Sequence, residues 1–457
     1  MTLIAGLAAS AQDIINSSPS PVGSGARALG MGGAFIAIAD DATSASWNPG
    51  GLTQLERPEL SLVYSWKSFG EEFASTYHLE PDGGMFDVDM DDINYFSYVY
   101  PIKRTFAGRN FVLSLNYQKK FDFDRSLDLR AREISPGITP IETVFDIKYR
   151  QDGGLSSLSP AFGFEITDQL SMGIAMNIFD SDLLPGNEWK IRNEYRSRFN
   201  VLGGASPIYG AGRTDDDFTN YEATNFTIGA LYKPNDRWSI GAVYHTAYTA
   251  EVDNRQIKRT YFPIQRIAVK NSHFKYEWPE ALGIGAAYRF PNDKLTLSLD
   301  VTWRPWDDFV KTDNHATSAG RKRVSPITGL PKSQSPHDDT WTVRLGGEYV
   351  FVDETKPRQD YLYALRAGLF YDPEPASGRK DSFFGTLKGN GEPDDYYGFA
   401  IGGGVLIKSR VNIDAAYQYR FGNGVRRDTF AGAGVFETNF SEDVQQHYFY
   451  LSTVIYF

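Results

Sequence analysis

From Pro58 onward the chain alternates between apolar and small or polar residues. Leu282, Ile284, Ala286, Tyr288 and Phe290 alternate with Gly283, Gly285, Ala287 and Arg289; beyond an Asn-Asp turn, Leu295, Leu297, Leu299, Val301 and Trp303 alternate with Thr296, Ser298, Asp300 and Thr302. A period of two on both sides of a turn predicts a β-hairpin with one apolar face. The same pattern flanks Pro234-Asn235-Asp236 and recurs over Trp341 to Phe351 and Tyr361 to Tyr371.

The connections carry the next step. Short turns are predicted near 102–108, 166–169, 233–237, 290–294, 352–360 and 408–410, and long polar connections near 68–92, 131–143, 181–221, 250–275, 305–338, 372–393 and 422–443. The two kinds alternate strictly, and their sum gives fourteen strands. Tight turns at one rim and long loops at the other are the pattern of a transmembrane barrel. The fold class expected is therefore all-β, a 14-stranded antiparallel transmembrane β-barrel in a bacterial outer membrane, with both chain ends on the periplasmic side. Trp66, Trp238, Tyr288, Trp303 and Trp341 suit its interfacial aromatic girdles, and the last strand, Gln446 to Phe457, ends on an aromatic residue as outer-membrane barrels do.

Composition agrees. The 457 residues carry a formal charge of −11 and no cysteine, which excludes disulfides, thiolate metal sites and cysteine nucleophiles. The acidic balance argues against nucleic-acid binding. No apolar run of about 18 residues occurs, so transmembrane helices are excluded; a mean hydropathy of −0.38 is compatible with a barrel, in which alternate residues face lipid. Residues 1–11, ending in Ala9-Ser10-Ala11, read as the remnant of a signal peptide.

One segment breaks the rhythm. Gly25 to Leu52 is rich in Gly and Ala and ends in Asn48-Pro49-Gly50, a tight turn in which proline fixes φ and disfavours the α region for Asn48. Gly30, Gly32 and Gly33 lack the Gly-Lys-Ser/Thr and βαβ context of a phosphate loop, so they read as close packing.

No catalytic or metal constellation stands out. The six histidines have no ligand spacing, no G-x-S-x-G elbow occurs, and Asp87 to Asp92 lacks the Gly and Glu of a calcium loop. Neither cofactor nor metal is expected. Charges on the lumen-facing parity, among them Arg289, Asp300, Arg304, Arg344, Arg366 and Arg420, are expected to pair across strands, with an arginine available to hold a carboxylate headgroup. The third and fourth long connections carry apolar residues that a solvated loop does not need: Leu183, Leu184, Trp189 and Phe199 in one, Tyr261, Phe262 and Ile264 in the other.

Gly30, Ala37 to Ala42 and Trp47-Asn48-Pro49-Gly50-Gly51-Leu52 resemble the N-terminal hatch of the FadL/OmpP1/TodX family of long-chain fatty acid and hydrocarbon channels. Trp278-Pro279-Glu280 and Leu365 to Pro375 extend the resemblance. It implies a hatch over residues 12–56 inside a barrel of residues 57–457, gated around Gly30, Gly32, Gly33, Asp40, Asp41, Asn48, Pro49 and Gly50. By the same resemblance, hydrophobic ligand lands on extracellular loops three and four and passes to a lumen pocket. The implied partners are a hydrophobic small molecule and outer-membrane lipid with lipopolysaccharide, around a monomer. A related PorV-like family, whose hatch looks similar, offers the rival reading of a docking platform for secreted proteins. In the resembled family a kink in the third strand opens the wall to lipid; Asn110 to Arg130 contains no Gly or Pro to mark one.

Overall fold

The computed structural model describes residues 21–75, 86–106, 108–135, 141–201, 204, 206–262, 264–291, 293–313, 323–327, 331–353, 355, 359–376, 391–431 and 437–457. The proposed signal remnant lies outside them.

Alternation builds a closed sheet. The strands are β1 (Glu59–Ser75), β2 (Phe86–Phe106), β3 (Arg109–Asp122), β4 (Arg125–Ser135), β5 (Ile141–Glu165), β6 (Leu170–Asp180), β7 (Glu188–Val201), β8 (Ile208–Tyr232), β9 (Trp238–His245) and β10 (Tyr248–Phe262). They continue as β11 (Arg266–Trp278), β12 (Ala281–Arg289), β13 (Leu295–Arg304), β14 (Val310–Asp313), β15 (Arg323–Val324), β16 (Thr340–Phe351), β17 (Tyr361–Tyr371), β18 (Tyr397–Ile407), β19 (Val411–Ala431) and β20 (Glu437–Tyr456). Four pairs, β3 with β4, β6 with β7, β9 with β10 and β11 with β12, run on as single interrupted staves, β14 extends β13, and the two-residue β15 pairs with β14 in the connection to β16 and adds no stave of its own. Every ladder between the strands is antiparallel and β1 closes on β20. The result is the fourteen-strand barrel expected, with short turns at the predicted places except that the first is narrower than 102–108, because β2 runs on to Phe106.

Much of what reads as loop is strand. β7, β8, β10 and β11 continue outward through most of 181–221 and 250–275, and β2 takes in Asp87 to Asp92. These outer strands carry charged residues on their outward face, as Lys190, Arg192 and Asp215 show, so they lack the apolar alternation that lipid imposes lower down. Their inward face packs a core that includes Trp189, Phe218, Tyr276, Trp278 and Trp306. Lower down, Leu113, Leu115, Ile284, Leu299, Leu345, Leu365 and Ile401 face outward and exposed, the surface that lipid covers.

The third stave does break. β3 stops at Asp122 and β4 starts at Arg125. Facing the break, Gly153 on β5 has φ +124°, and its N–H donates to Asp124 Oδ1 at 2.7 Å while its carbonyl accepts from Phe123 N at 2.9 Å. The glycine that permits the irregularity thus lies on the neighbouring strand, outside residues 110–130. The β2–β3 ladder ends at Tyr95 and Gln118, and the outer part of β2 pairs with β1.

Candidate functional site

The N-terminal segment sits inside the barrel. It forms two short helices, α1 (Ala26–Gly30) and α2 (Ser44–Trp47), and a 3-10 turn Pro49–Gln54. Its backbone lies against the wall with almost no side chain between. Ideal Cβ atoms on Gly173 and Gly229 would stand 2.2 Å from Pro49 O and 2.1 Å from Asn48 Oδ1, and one on Gly368 would stand 2.3 Å from Gly32 N. Gly173 faces Gly229 across the ladder, as Gly346 faces Gly368, so wall glycines occur as neighbours where the segment docks. On the segment itself, Gly30 packs on Gly402, while Gly32 and Gly33 adopt φ +67° and +77°, a region that side chains strain. Close packing is thus where the structure puts these glycines.

Polar side chains hold the segment. Asn48 Nδ2 donates to Ile36 O at 2.8 Å and to Ala230 O at 3.0 Å, while its Oδ1 accepts from Gly50 N at 3.0 Å. Gly50 O in turn accepts from Ser171 Oγ at 2.8 Å. Asp300 Oδ2 accepts from the N–H groups of Phe35 and Ile36 at 2.6 and 2.8 Å. Asp300 therefore serves the segment and not an arginine.

A charge network anchors α1. Arg27 grips Glu348 through two hydrogen bonds of 2.9 Å and reaches Asp40 at 2.5 Å. Glu348 also accepts from Arg366 Nε at 2.6 Å, and Arg366 Nη1 donates to Asp414 at 2.7 Å. Burial alone would pull the Arg27 pKa down, but Asp40 and Glu348 outweigh it and hold the guanidinium above its ordinary value. Asp41 accepts from Thr43 N and Oγ1 at 2.8 and 2.6 Å; burial pushes its pKa up against the pull of Arg27 and Thr43.

Above the segment lies a lumen cavity of about 270 Å³. Trp47, Phe121, Phe179, Trp278, Trp306 and Tyr450 supply much of its apolar lining. Five cations and three carboxylates also line it. Lys67 pairs with Asp122 at 2.7 Å, and Arg344 and Arg420 pair with Asp372 at 3.4 and 3.2 Å. Lys120 and Arg304 have no carboxylate within 4 Å among the described residues; Arg304 lies over the Trp306 ring at 5.1 Å. Of the lumen arginines considered in the sequence, Arg344, Arg366 and Arg420 are paired, Arg289 lies exposed at the short-turn rim, and Arg304 faces the cavity.

At the end of the β2–β3 ladder, the cavity meets the wall. Lys119 Nζ reaches Asp92 at 2.5 Å across the seam. From inside, Val22 N donates to Lys120 O at 2.8 Å, Gln118 donates to Val22 O and Asn94 donates to Gly23 O, each at 3.1 Å. The segment thereby bridges β2 and β3. Sequence reasoning missed Asn94, Gln118 and Lys120, because a polar residue at a lumen position looks like any other until the ladder is seen to stop beside it.

The apolar residues of the third and fourth connections are not gathered at one place. Trp189 is buried in the outer core, stacked on Phe218 at 4.6 Å, so it is not part of an exposed landing surface. Leu183 is exposed and Leu184 half-buried in the turn between β6 and β7, and Phe199 is half-buried far along β7. Tyr261, Phe262 and Ile264 are exposed at the outer end of β10. A Ser325 Oγ to His337 Nε2 contact of 2.8 Å is buried in the outer connection that holds β15.

Comparison with known proteins agrees with this architecture. A FadL homologue of Pseudomonas aeruginosa superposes with TM-score 0.60 at 16% identity, covering 96% of this chain and 99% of that one. The toluene transporters TodX of Pseudomonas putida and TbuX of Ralstonia pickettii superpose with TM-scores of 0.53 and 0.52 at 11% and 15% identity. They match 96% and 95% of this chain, and 100% and 98% of their own. A curated relative, the probable TonB-dependent receptor BfrD of Bordetella pertussis, is 27% identical over 261 residues, 55% of this chain; the chain spans about a third of that protein's length, the match covering 32%. The profile of the outer membrane protein transport proteins (OMPP1/FadL/TodX) matches residues 153–447, and this outer-membrane barrel belongs to that family.

Proposed function

We propose that the chain is a passive channel for long-chain fatty acids or hydrocarbons, with residues 21–56 acting as a hatch between the lumen cavity and the periplasm. The observation that carries this reading is the cavity: lined in part by aromatic side chains, yet holding Lys120 and Arg304, which have no carboxylate partner among the described residues. An apolar chain is stabilised by leaving water for such a lining, and a carboxylate head compensates buried cations that otherwise cost free energy. Arg304 is the arginine suited to that grip.

Ligand lands on the extracellular face around Leu183, Tyr261, Phe262 and Ile264, reaches the cavity, and leaves when residues 22–23 or the Asn48-Pro49-Gly50 turn shift. The seam between β2 and β3 supports sideways release into the bilayer, since only side chains and residues 22–23 bridge it among the described residues. Native mass spectrometry of protein released from a mild detergent tests the reading. A bound fatty acid or hydrocarbon, lost in an Arg304→Gln, Lys120→Gln variant if acidic, supports it; a stably bound secreted protein and an empty lumen would favour a docking platform.

A further inference from the structure

The outermost end of the long hairpins carries a surface that the lumen does not explain. Ile208, Tyr209, Tyr261, Phe262, Ile264 and Ile267 are each between 45% and 64% exposed. They gather at the shared outer end of β8, β10 and β11. Phe262 faces Ala211 across the β8–β10 ladder, Ile267 faces Arg259 across β10–β11, and the Tyr209 and Phe262 rings meet edge to face at 6.4 Å. Ile208 stands eighteen positions before the lipid-level Phe226 on the same strand, about 60 Å of backbone at roughly 3.3 Å per residue. None of the six lines the lumen cavity.

Its rim has the opposite sign to the chain as a whole. In a protein of formal charge −11, Arg196, Arg198, Lys258, Arg259, Arg266 and Lys270 surround the apolar residues. Carboxylates are shared among them: Arg192, Arg213 and Arg259 all pair with Asp215, and Arg132 and Arg198 both pair with Glu142. Arg196, Lys258 and Arg266 have no carboxylate within 4 Å among the described residues. Protruding aromatic and aliphatic side chains within a ring of excess cations match an interface between water and anionic amphiphiles: the apolar groups enter the acyl layer and the cations meet the headgroups.

We propose that this tip docks onto aggregates of anionic amphiphiles, fatty-acid vesicles or micelles, so that substrate is drawn from an aggregate as well as from monomers in water. The inference rests on the transport reading and adds the physical form in which the substrate is met. Charge complementarity selects this occupant, because a neutral apolar partner leaves the unpaired Arg196, Lys258 and Arg266 without a counter-charge.

The test uses the full chain in nanodiscs of zwitterionic lipid, floated with phosphatidylcholine vesicles that contain or lack ionised oleate. Co-flotation with the oleate vesicles alone, weakened by salt, is expected. Ile208→Ser with Ile267→Asp abolishes it, and Arg196→Glu with Arg266→Glu weakens it roughly tenfold or more, at about one headgroup interaction lost per residue. All four side chains are solvent-exposed, so these variants fold; monomeric oleate binding in the lumen, read by tryptophan fluorescence, stays unchanged in both. Equal flotation with neutral vesicles, or wild-type flotation by the tip variants, overturns the proposal, as does a dimer that buries the tip. Loss of monomer binding in the wild type, with flotation intact, would instead count against the transport reading and leave the tip standing.

Discussion

Asn48 donates a hydrogen bond to the carbonyl of Ala230, 182 residues away on the barrel wall, and with the same amide nitrogen reaches Ile36 O. One side chain thus ties the Pro49 turn to the wall and to the other half of the N-terminal segment. Asn48→Ala leaves two carbonyls without this donor, at about 1–3 kcal/mol for each that stays dry. Faster amide exchange over residues 34–52 is expected, with the barrel strands unchanged. Unaltered exchange in that window would show that Asn48 does not hold the turn.

Glycine contacts provide a wedge. Gly229→Ala places a methyl group 2.1 Å from Asn48 Oδ1, and Gly173→Ala places one 2.2 Å from Pro49 O. Neither contact is possible, so the turn must lift. Larger single-channel conductance in planar bilayers is expected from both variants, and none from Gly186→Ala, whose Cβ meets nothing within 4 Å.

Acidity acts through Asp41. Its pKa is raised in the folded protein, so the folded state holds that proton more tightly than the unfolded chain does. Stability from this group is present below the ordinary carboxyl range and declines as pH rises through the raised pKa. Thermal melts are expected to fall with rising pH over that window in the wild type relative to Asp41→Asn. Parallel profiles would remove Asp41 from the account.

The cavity cations should discriminate between ligands. Replacing Arg304 and Lys120 by Gln removes charge-assisted hydrogen bonds of about 1.5–3 kcal/mol each. Affinity for oleate, followed by tryptophan fluorescence, is expected to drop at least tenfold, with that for an alkane of similar length unchanged. An equal loss for both ligands would mean that the cations only shape the cavity.

Sideways release can be closed off. Lys119 and Asp92 meet across the seam. A cysteine pair at these positions, joined by a short thiol crosslinker, should stop delivery to the bilayer and recover on reduction. Full delivery through a crosslinked seam would direct the exit to the periplasmic mouth.

The fold was legible where lipid disciplines the sequence. Leu282 to Trp303 alternates because one face meets lipid and the other the lumen, and the turns at 166–169, 233–237 and 290–294 end such strands. Above the membrane that constraint lapses: Lys190 and Arg192 project into water from β7, and Asp215 on the outward face of β8 is held by arginines, so those strands look like loops. The break after Asp122 was hidden for another reason, since its permissive glycine, Gly153, lies on the adjoining strand. At the site, Gly32 and Asn48 were legible because backbone-to-backbone packing admits few residues. Lys120 and Arg304 could not be singled out, because what distinguishes them is that no carboxylate among the described residues pairs with them.

The central claim is that hydrophobic ligand crosses the outer membrane passively through this lumen. Uptake of radiolabelled oleate by cells that lack their own channel and express this protein tests it most directly. Saturable uptake is predicted, insensitive to collapse of the proton-motive force and reduced at least tenfold by the crosslinked seam or the Arg304→Gln, Lys120→Gln variant. Uptake no greater than in cells without the folded protein, or uptake that requires an energised membrane, would contradict it.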